Sequence, residues 1–343
     1  MGRILLPTPV TFTSPKIDTV ENHLLKKNIK GVMEWKDKNI EFQTVELHPD
    51  IDWGVRGEGV KDWSKPYSLV AGDSFVFGAN LRWKETLPRL LQKETGTQFV
   101  NIAEGAHGPI EEAYKIKNAV QTLNPKPKQV IWCYFEGNDL RSLQSEMGTG
   151  FFFLRGWLHK YSFTYRLVKL VVFRGGGKQF AEYKKYFIST TSGEQMRFSP
   201  SVLKLNLPKE DTQNPDFAEK EFQFLGQLIR DVAELCAQQS VRLTIVSIPF
   251  KEQVYYHKIV KDFPEWKGYD LYYQTRRLEE IARKTNVSFI SLLEPFLDIS
   301  RRESDLYFKD DDHWSRKGAR YAASILGKNL KRLNPERTKT LNF

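Results

Sequence analysis

From Tyr67 onward, short apolar runs alternate with segments of helical periodicity, and that alternation confines the chain to a parallel sheet covered by helices on both faces. Strands are predicted at Tyr67–Ala71, Gln98–Ile102, Gln129–Phe135, Leu243–Ile248 and Val287–Leu292. Helices are predicted over about 81–94, 109–123, 217–238 and 270–284, and from about 316. The run QVIWCYF at Gln129–Phe135 is apolar on both faces, as a central strand between two helix layers must be. In the last helix Ala319, Ala322, Ala323, Leu326 and Leu330 recur at helical spacing and define one buried face.

Two stretches break the rhythm. Residues 1–66 have scattered apolar positions and a glycine-rich piece, WGVRGEG, and read as an N-terminal extension of short strands and turns packed on the 67–343 domain. Residues 140–215 form an insertion. Within 154–174, Leu154, Leu158, Tyr161, Tyr165, Val168 and Val172 share one helical face, with Arg155, His159, Arg166 and Lys169 largely opposite. From Arg155 to Lys185 there are eight Lys or Arg against one acid, so part of the net charge of +10 is concentrated here. A basic, aromatic segment of this kind suits a lid or an anionic membrane surface, and it carries too many charges to span a bilayer. The N-terminus shows neither a signal peptide nor a transmembrane run. Charge alone is the only argument for nucleic acid, and no nucleic-acid partner is expected. Cys133 and Cys236 both sit in apolar patterns and read as buried small hydrophobes rather than a bridge.

The chemistry-bearing residues fall at predicted strand ends. Gly72-Asp73-Ser74 closes the first strand, and a helical pattern begins after Gly78. Asn101 to Pro109, containing Gly105, Ala106 and His107, follows the second strand. Gly137-Asn138-Asp139 follows the third, and Asp310-Asp311-Asp312-His313-Trp314 lies beyond the last. The carboxyl ends of strands in an open parallel sheet line one crevice, so Ser74, Ala106, Asn138 and His313 can converge. A serine hydroxyl needs an imidazole to take its proton, and the imidazole needs a carboxylate to set its tautomer. An oxyanion then needs donors: the backbone N–H of Ser74, one near Gly105 or Ala106, and the amide of Asn138. His107, beside the second loop, is a candidate substrate contact.

The ordered set GDSF, NIAEGAHGP, EGND and DDDHW resembles the four blocks of the SGNH, or GDSL-type, hydrolase superfamily, over roughly Tyr67 to Leu330. The resemblance implies a flavodoxin-like three-layer α/β/α fold and ester hydrolysis or acyl transfer, with no cofactor and no metal. It implies Ser74 as nucleophile, His313 as general base and then acid, Asn138 as an oxyanion donor, and Asp310 as the orienting carboxylate. Asp311 is the alternative, through an Asp-x-His-Trp variant resembling alginate O-acetyltransferases. The family's second-block glycine falls at Ala106, or at Gly105 if the loop shifts by one. The run from Ile248 to Tyr255 resembles a segment of envelope-associated members, making Lys251 and Tyr255 further candidate substrate contacts. The resulting expectation is a serine esterase acting on a glycan or lipid-linked ester at the cell envelope. An O-acyltransferase that passes the acyl group to a sugar hydroxyl is the alternative, and a catalytically silent glycan-binding protein the second.

Overall fold

The computed structural model describes residues 25–35, 38–148, 186–189, 195–210 and 217–333. The basic aromatic stretch 154–174 lies outside the described residues. Among them, eight strands form one sheet: β1 (Lys30–Trp35), β2 (Lys38–Glu46), β3 (Gly54–Arg56), β4 (Tyr67–Ala71), β5 (Gln98–Asn101), β6 (Gln129–Phe135), β9 (Arg242–Ile248) and β10 (Ser288–Ser291). A separate antiparallel pair, β7 (Tyr186–Ser189) and β8 (Gln195–Phe198), lies within the insertion.

The sheet order is β1-β2-β3-β5-β4-β6-β9-β10. The last five strands pair in parallel, and in chain order they give the flavodoxin-like arrangement 2-1-3-4-5. The order reverses between β4 and β6, and Ser74 and Asn138 follow those two strands. β1, β2 and β3 extend the sheet by antiparallel pairing, β3 joining β5 through Arg56 and Asn101.

Because side chains alternate along a strand, one apolar strand serves two cores. Ile131, Cys133 and Phe135 of β6 pack with Leu87, Leu91, Ala319, Ala322 and Leu326 on one face. Val130, Trp132 and Tyr134 pack on the other with Ile116, Ala119, Phe222 and Ile229 from helices Pro109–Thr122 and Glu219–Gln238. The strand is therefore clamped from both sides, and its carboxyl end is a rigid platform.

The turn after β4 differs from the sequence expectation. Helix α1 begins at Ser74 itself and runs only to Phe77, closed by Gly78 at φ +83°. Gly72, at φ +151°, leaves no room for a side chain, since a Cβ there would lie 2.7 Å from Val76 Cγ2 and 3.0 Å from the Cys133 carbonyl oxygen. A glycine is required because the chain must turn sharply against β6 at the point where it presents Ser74.

Candidate active site

Asp73 caps α1, its carboxylate accepting from the Phe75 N–H at 2.8 Å. The carbonyls at the other end of α1 are taken from outside the helix. The Arg56 guanidinium, fully buried, donates to the carbonyls of Phe77 at 2.5 Å, Gly78 at 2.7 Å and Leu81 at 2.6 Å. Burial pulls its pKa down to about 9, so the cation persists at neutral pH. Asn101 of β5 adds a bond to the Val76 carbonyl at 3.0 Å. The turn carrying Ser74 is thereby held at both ends.

The Ser74 hydroxyl lies 2.7 Å from His313 Nε2, and His313 Nδ1 lies 2.5 Å from Asp311 Oδ1. That same Asp311 oxygen accepts the His313 backbone N–H at 2.9 Å and the Asn80 amide at 3.3 Å. The carboxylate on His313 is therefore Asp311, which corrects the preference for Asp310. The reason is local. An Asp two residues before the histidine folds into an Asx turn, and its side chain then receives both the backbone N–H and the ring nitrogen. The His313 ring rests on Phe75, centroids 5.1 Å apart, and Phe75 packs edge-on to Trp314.

These contacts set the charge states. Burial works against an imidazolium at His313, but the hydrogen bond and charge of Asp311, with Asp73 and Asp312 behind, hold its pKa above the ordinary histidine value. Burial likewise opposes ionisation of Asp311, yet the bond and charge of His313 and the Lys251 cation keep its pKa below the usual carboxylate range. Asp73 is raised by burial despite its bonds to Phe75, Asn138 and Ser74.

The donors expected for an oxyanion border this chain. Asn138 Nδ2 donates to Asp73 at 3.3 Å, beside Ser74. The loop after β5 is tied to the Ser74 turn by the Glu104 N–H donating to the Gly72 carbonyl at 3.2 Å. Two residues on, Ala106 adopts φ +65°, the left-handed conformation a glycine would adopt without cost, and it is exposed. Ala106 rather than Gly105 thus has the glycine-like backbone.

The three candidate substrate contacts are all buried. Tyr255 is 0% exposed, and its hydroxyl accepts the Leu306 N–H at 3.1 Å. His107 is buried with Nε2 3.8 Å from the Glu104 carboxylate. Lys251 is also buried, its ammonium donating to the Asp311 carbonyl at 2.9 Å. Sequence reasoning missed Asn80 and Arg56. Asn80, two residues after Gly78, itself adopts φ +65°, a turn signal without a functional one.

With this geometry in place, the chain can be set beside known proteins. Residues 205–342 match the family model described as SGNH hydrolase-like domain, acetyltransferase AlgX. The matched stretch is less than half of the chain. The matched residues include Asp311 and His313, while Ser74 lies outside them. A curated relative, "Probable alginate O-acetylase AlgJ" of Pseudomonas putida, is 30% identical over 105 residues, 31% of this chain. The match spans only 26% of that relative's length. Among solved structures, a member of the lipolytic protein G-D-S-L family from Veillonella parvula is 11% identical, covering 78% of this chain and 98% of its own at a TM-score of 0.43. The acetyl xylan esterase AlAXEase is 12% identical, with 77% and 99% covered and the same TM-score of 0.43. Both likenesses are loose. The α/β architecture of the chain follows from its own sheet order. No helix among the described residues is long and apolar enough to cross a membrane.

Proposed function

We propose that this chain is a serine acyl-transfer enzyme of the esterase type, in which Ser74, His313 and Asp311 form the catalytic triad. The observation that carries the reading is the unbroken hydrogen-bonded chain from Ser74 Oγ through both ring nitrogens of His313 to Asp311. Asp311 accepts from Nδ1–H, which leaves the Nε2 lone pair facing the Ser74 hydroxyl. The hydroxyl proton passes to Nε2 as Oγ bonds to the ester carbonyl carbon. The resulting oxyanion meets the backbone N–H groups of Ser74 and the Ala106 turn and the Asn138 amide. Collapse breaks the ester C–O bond, and imidazolium returns its proton to the departing alcohol. In the second half, His313 takes a proton from an incoming hydroxyl, which attacks the acyl-Ser74 ester and frees the serine.

That incoming hydroxyl is water in a hydrolase and a sugar hydroxyl in an O-acyltransferase. The match to an acetyltransferase family model and the relative named as an alginate O-acetylase favour transfer to a glycan. They also support a place at the cell envelope, with a glycan or lipid-linked ester as substrate. A glycan-binding protein without activity would have no need to keep the three side chains in hydrogen-bonded register.

The test is a burst assay on p-nitrophenyl acetate with wild type and Ser74→Ala, repeated with oligosaccharide acceptors. A Ser74-dependent burst supports the nucleophile, and acceleration by an acceptor with recovery of acylated sugar supports transfer. No burst with either short or longer acyl chains would return the weight to the binding-protein reading.

A further inference from the structure

The loop that presents His313 is held by the Arg197 N–H on the Lys309 carbonyl and by Asn80 on Asp311, and at three further points by one neighbouring segment, residues 249–255. The Pro249 carbonyl accepts the Tyr307 hydroxyl at 2.7 Å, and the Tyr255 hydroxyl accepts the Leu306 N–H at 3.1 Å. Those two bonds hold the base of the loop. At its tip stands Lys251, whose side chain is 1% exposed and lies beneath Asp311 and Asp312. Its ammonium is 2.9 Å from the Asp311 carbonyl and 3.3 Å from Asp312 Oδ1, and 5.8 Å from the Phe198 ring centroid. A lysine so deeply buried gives up its hydration, and here the compensating partners both belong to the His313 loop.

We propose that Lys251 is a positioning residue for the triad: by holding the Asp311 backbone carbonyl, it fixes the carboxylate that orients His313, and its charge offsets the carboxylates crowded around the imidazole. This inference rests on the triad reading above for its kinetic consequence. The geometry leaves few other candidates for the task. Asp311 must direct one oxygen at three donors, His313 Nδ1, His313 N and Asn80 Nδ2, so its main chain can shift little without breaking one of them. Misplacement of a reacting group by about 1 Å costs on the order of 100-fold in rate. The charge argument runs in the same direction. His313 is faced by Asp73 from the turn after β4 and by Asp311 and Asp312 from its own loop. Lys251 stands behind the loop together with Glu252, a buried carboxyl that accepts the Ser199 N–H at 2.9 Å. Asp312 and burial favour the neutral form of Glu252, so Lys251 is the cation set against the carboxylates on His313.

The experiment compares wild type, Lys251→Met, Lys251→Gln and Lys251→Arg in the full chain. Each is checked for folding by circular dichroism, its His313 imidazole is titrated by ¹⁵N NMR, and kcat and KM are measured on p-nitrophenyl acetate. Loss of the cation in the Met and Gln variants raises the His313 pKa by about half a pH unit or more. It lowers kcat about 10- to 100-fold with KM nearly unchanged. Arginine restores both to within a few-fold. If Lys251→Met does not fold, Lys251→Gln, which keeps a buried donor, reads the same two quantities. A folded neutral variant with wild-type titration of His313 overturns the proposal, as does loss of kcat that arginine leaves unrepaired and that comes without any change in titration. If wild type itself shows no Ser74-dependent burst, the esterase reading fails, while the imidazole titration still decides the role of Lys251.

Discussion

The sharpest discrimination the structure offers is between Asp310 and Asp311. In Asp311→Asn, one amide atom must occupy the position of Oδ1, which now receives three donors: His313 Nδ1, His313 N and Asn80 Nδ2. Only the amide oxygen can accept all three, so the Asn carbonyl takes that place and the Nδ1–H tautomer is retained. What is lost is the negative charge facing the imidazolium that forms during acylation. At about 4 Å and an effective dielectric of about 20, that attraction is about 4 kcal/mol, and part of it returns through solvent and the remaining Asp73 and Asp312 carboxylates. A net loss of about 3 kcal/mol corresponds to roughly 100-fold in kcat, since each 1.36 kcal/mol is about tenfold. Asp311→Ala also frees the tautomer and falls further, whereas Asp310→Asn stays within a few-fold of wild type. Pre-steady-state acylation by p-nitrophenyl acetate, which isolates the first chemical step, measures all three. A larger loss in Asp310→Asn than in Asp311→Asn would refute the assignment. An Asp311→Asn loss as deep as that of Asp311→Ala would refute the tautomer argument.

Three further outcomes follow from the same contacts. The pH profile of kcat/KM rises through a midpoint above 6.5, because His313 must be neutral to act and its folded pKa is raised. The stability contributed by that raised pKa runs the other way: it is fully present below the unfolded histidine value and is lost as pH rises through the folded one, which thermal melts across this window detect. Ala106→Gly relieves a left-handed alanine at φ +65° and raises the urea midpoint by the equivalent of up to about 1 kcal/mol, with the acylation burst kept. Arg56→Met removes three charge-assisted hydrogen bonds from the carbonyls of Phe77, Gly78 and Leu81 and destabilises the chain by about 3 kcal/mol or more, read from urea unfolding, with faster amide exchange at Phe77 to Leu81.

How far the sequence could be read depended on whether the signal was local. QVIWCYF is apolar on both faces, and β6 spans the same Gln129–Phe135, because a strand between two helix layers has no polar alternative. α1 escaped because Phe75, Val76 and Phe77 are strand formers. What makes them helical is the cap at Asp73 together with buried donors from β3 and β5, which no window around Ser74 contains. The choice of carboxylate was open because both spacings occur in one run of aspartates. The deciding contact is the Asx turn, a preference that Asp-x-His carries locally but that spacing alone does not rank. Lys251 was legible as a residue at a strand end. Its burial was not, since nothing in IPFKEQVY records that the 305–314 loop folds down upon it.

The boundary at residue 66 marks a change of rhythm in the sequence, and the hydrogen bonds cross it. Arg56 of β3 holds the carbonyls at the end of α1, and the Leu25 N–H donates to Glu104 at 2.9 Å, in the loop that carries Ala106. Glu104 is itself paired with the buried Lys115 at 3.1 Å, and the Lys115 ammonium lies 4.5 Å from the ring centroid of Trp53. Two of the three loops that would face an oxyanion are therefore anchored to atoms of residues 25–56. The parallel strands alone bring Ser74 and Asn138 to one edge. Holding the Ser74 turn and the Ala106 loop in place falls to a stretch whose own sequence carries no recognisable motif, because a guanidinium, a backbone N–H and an indole can brace main-chain and buried polar atoms from many different sequences. Motifs mark where the reacting atoms are, and the bracing has to be read from the contacts.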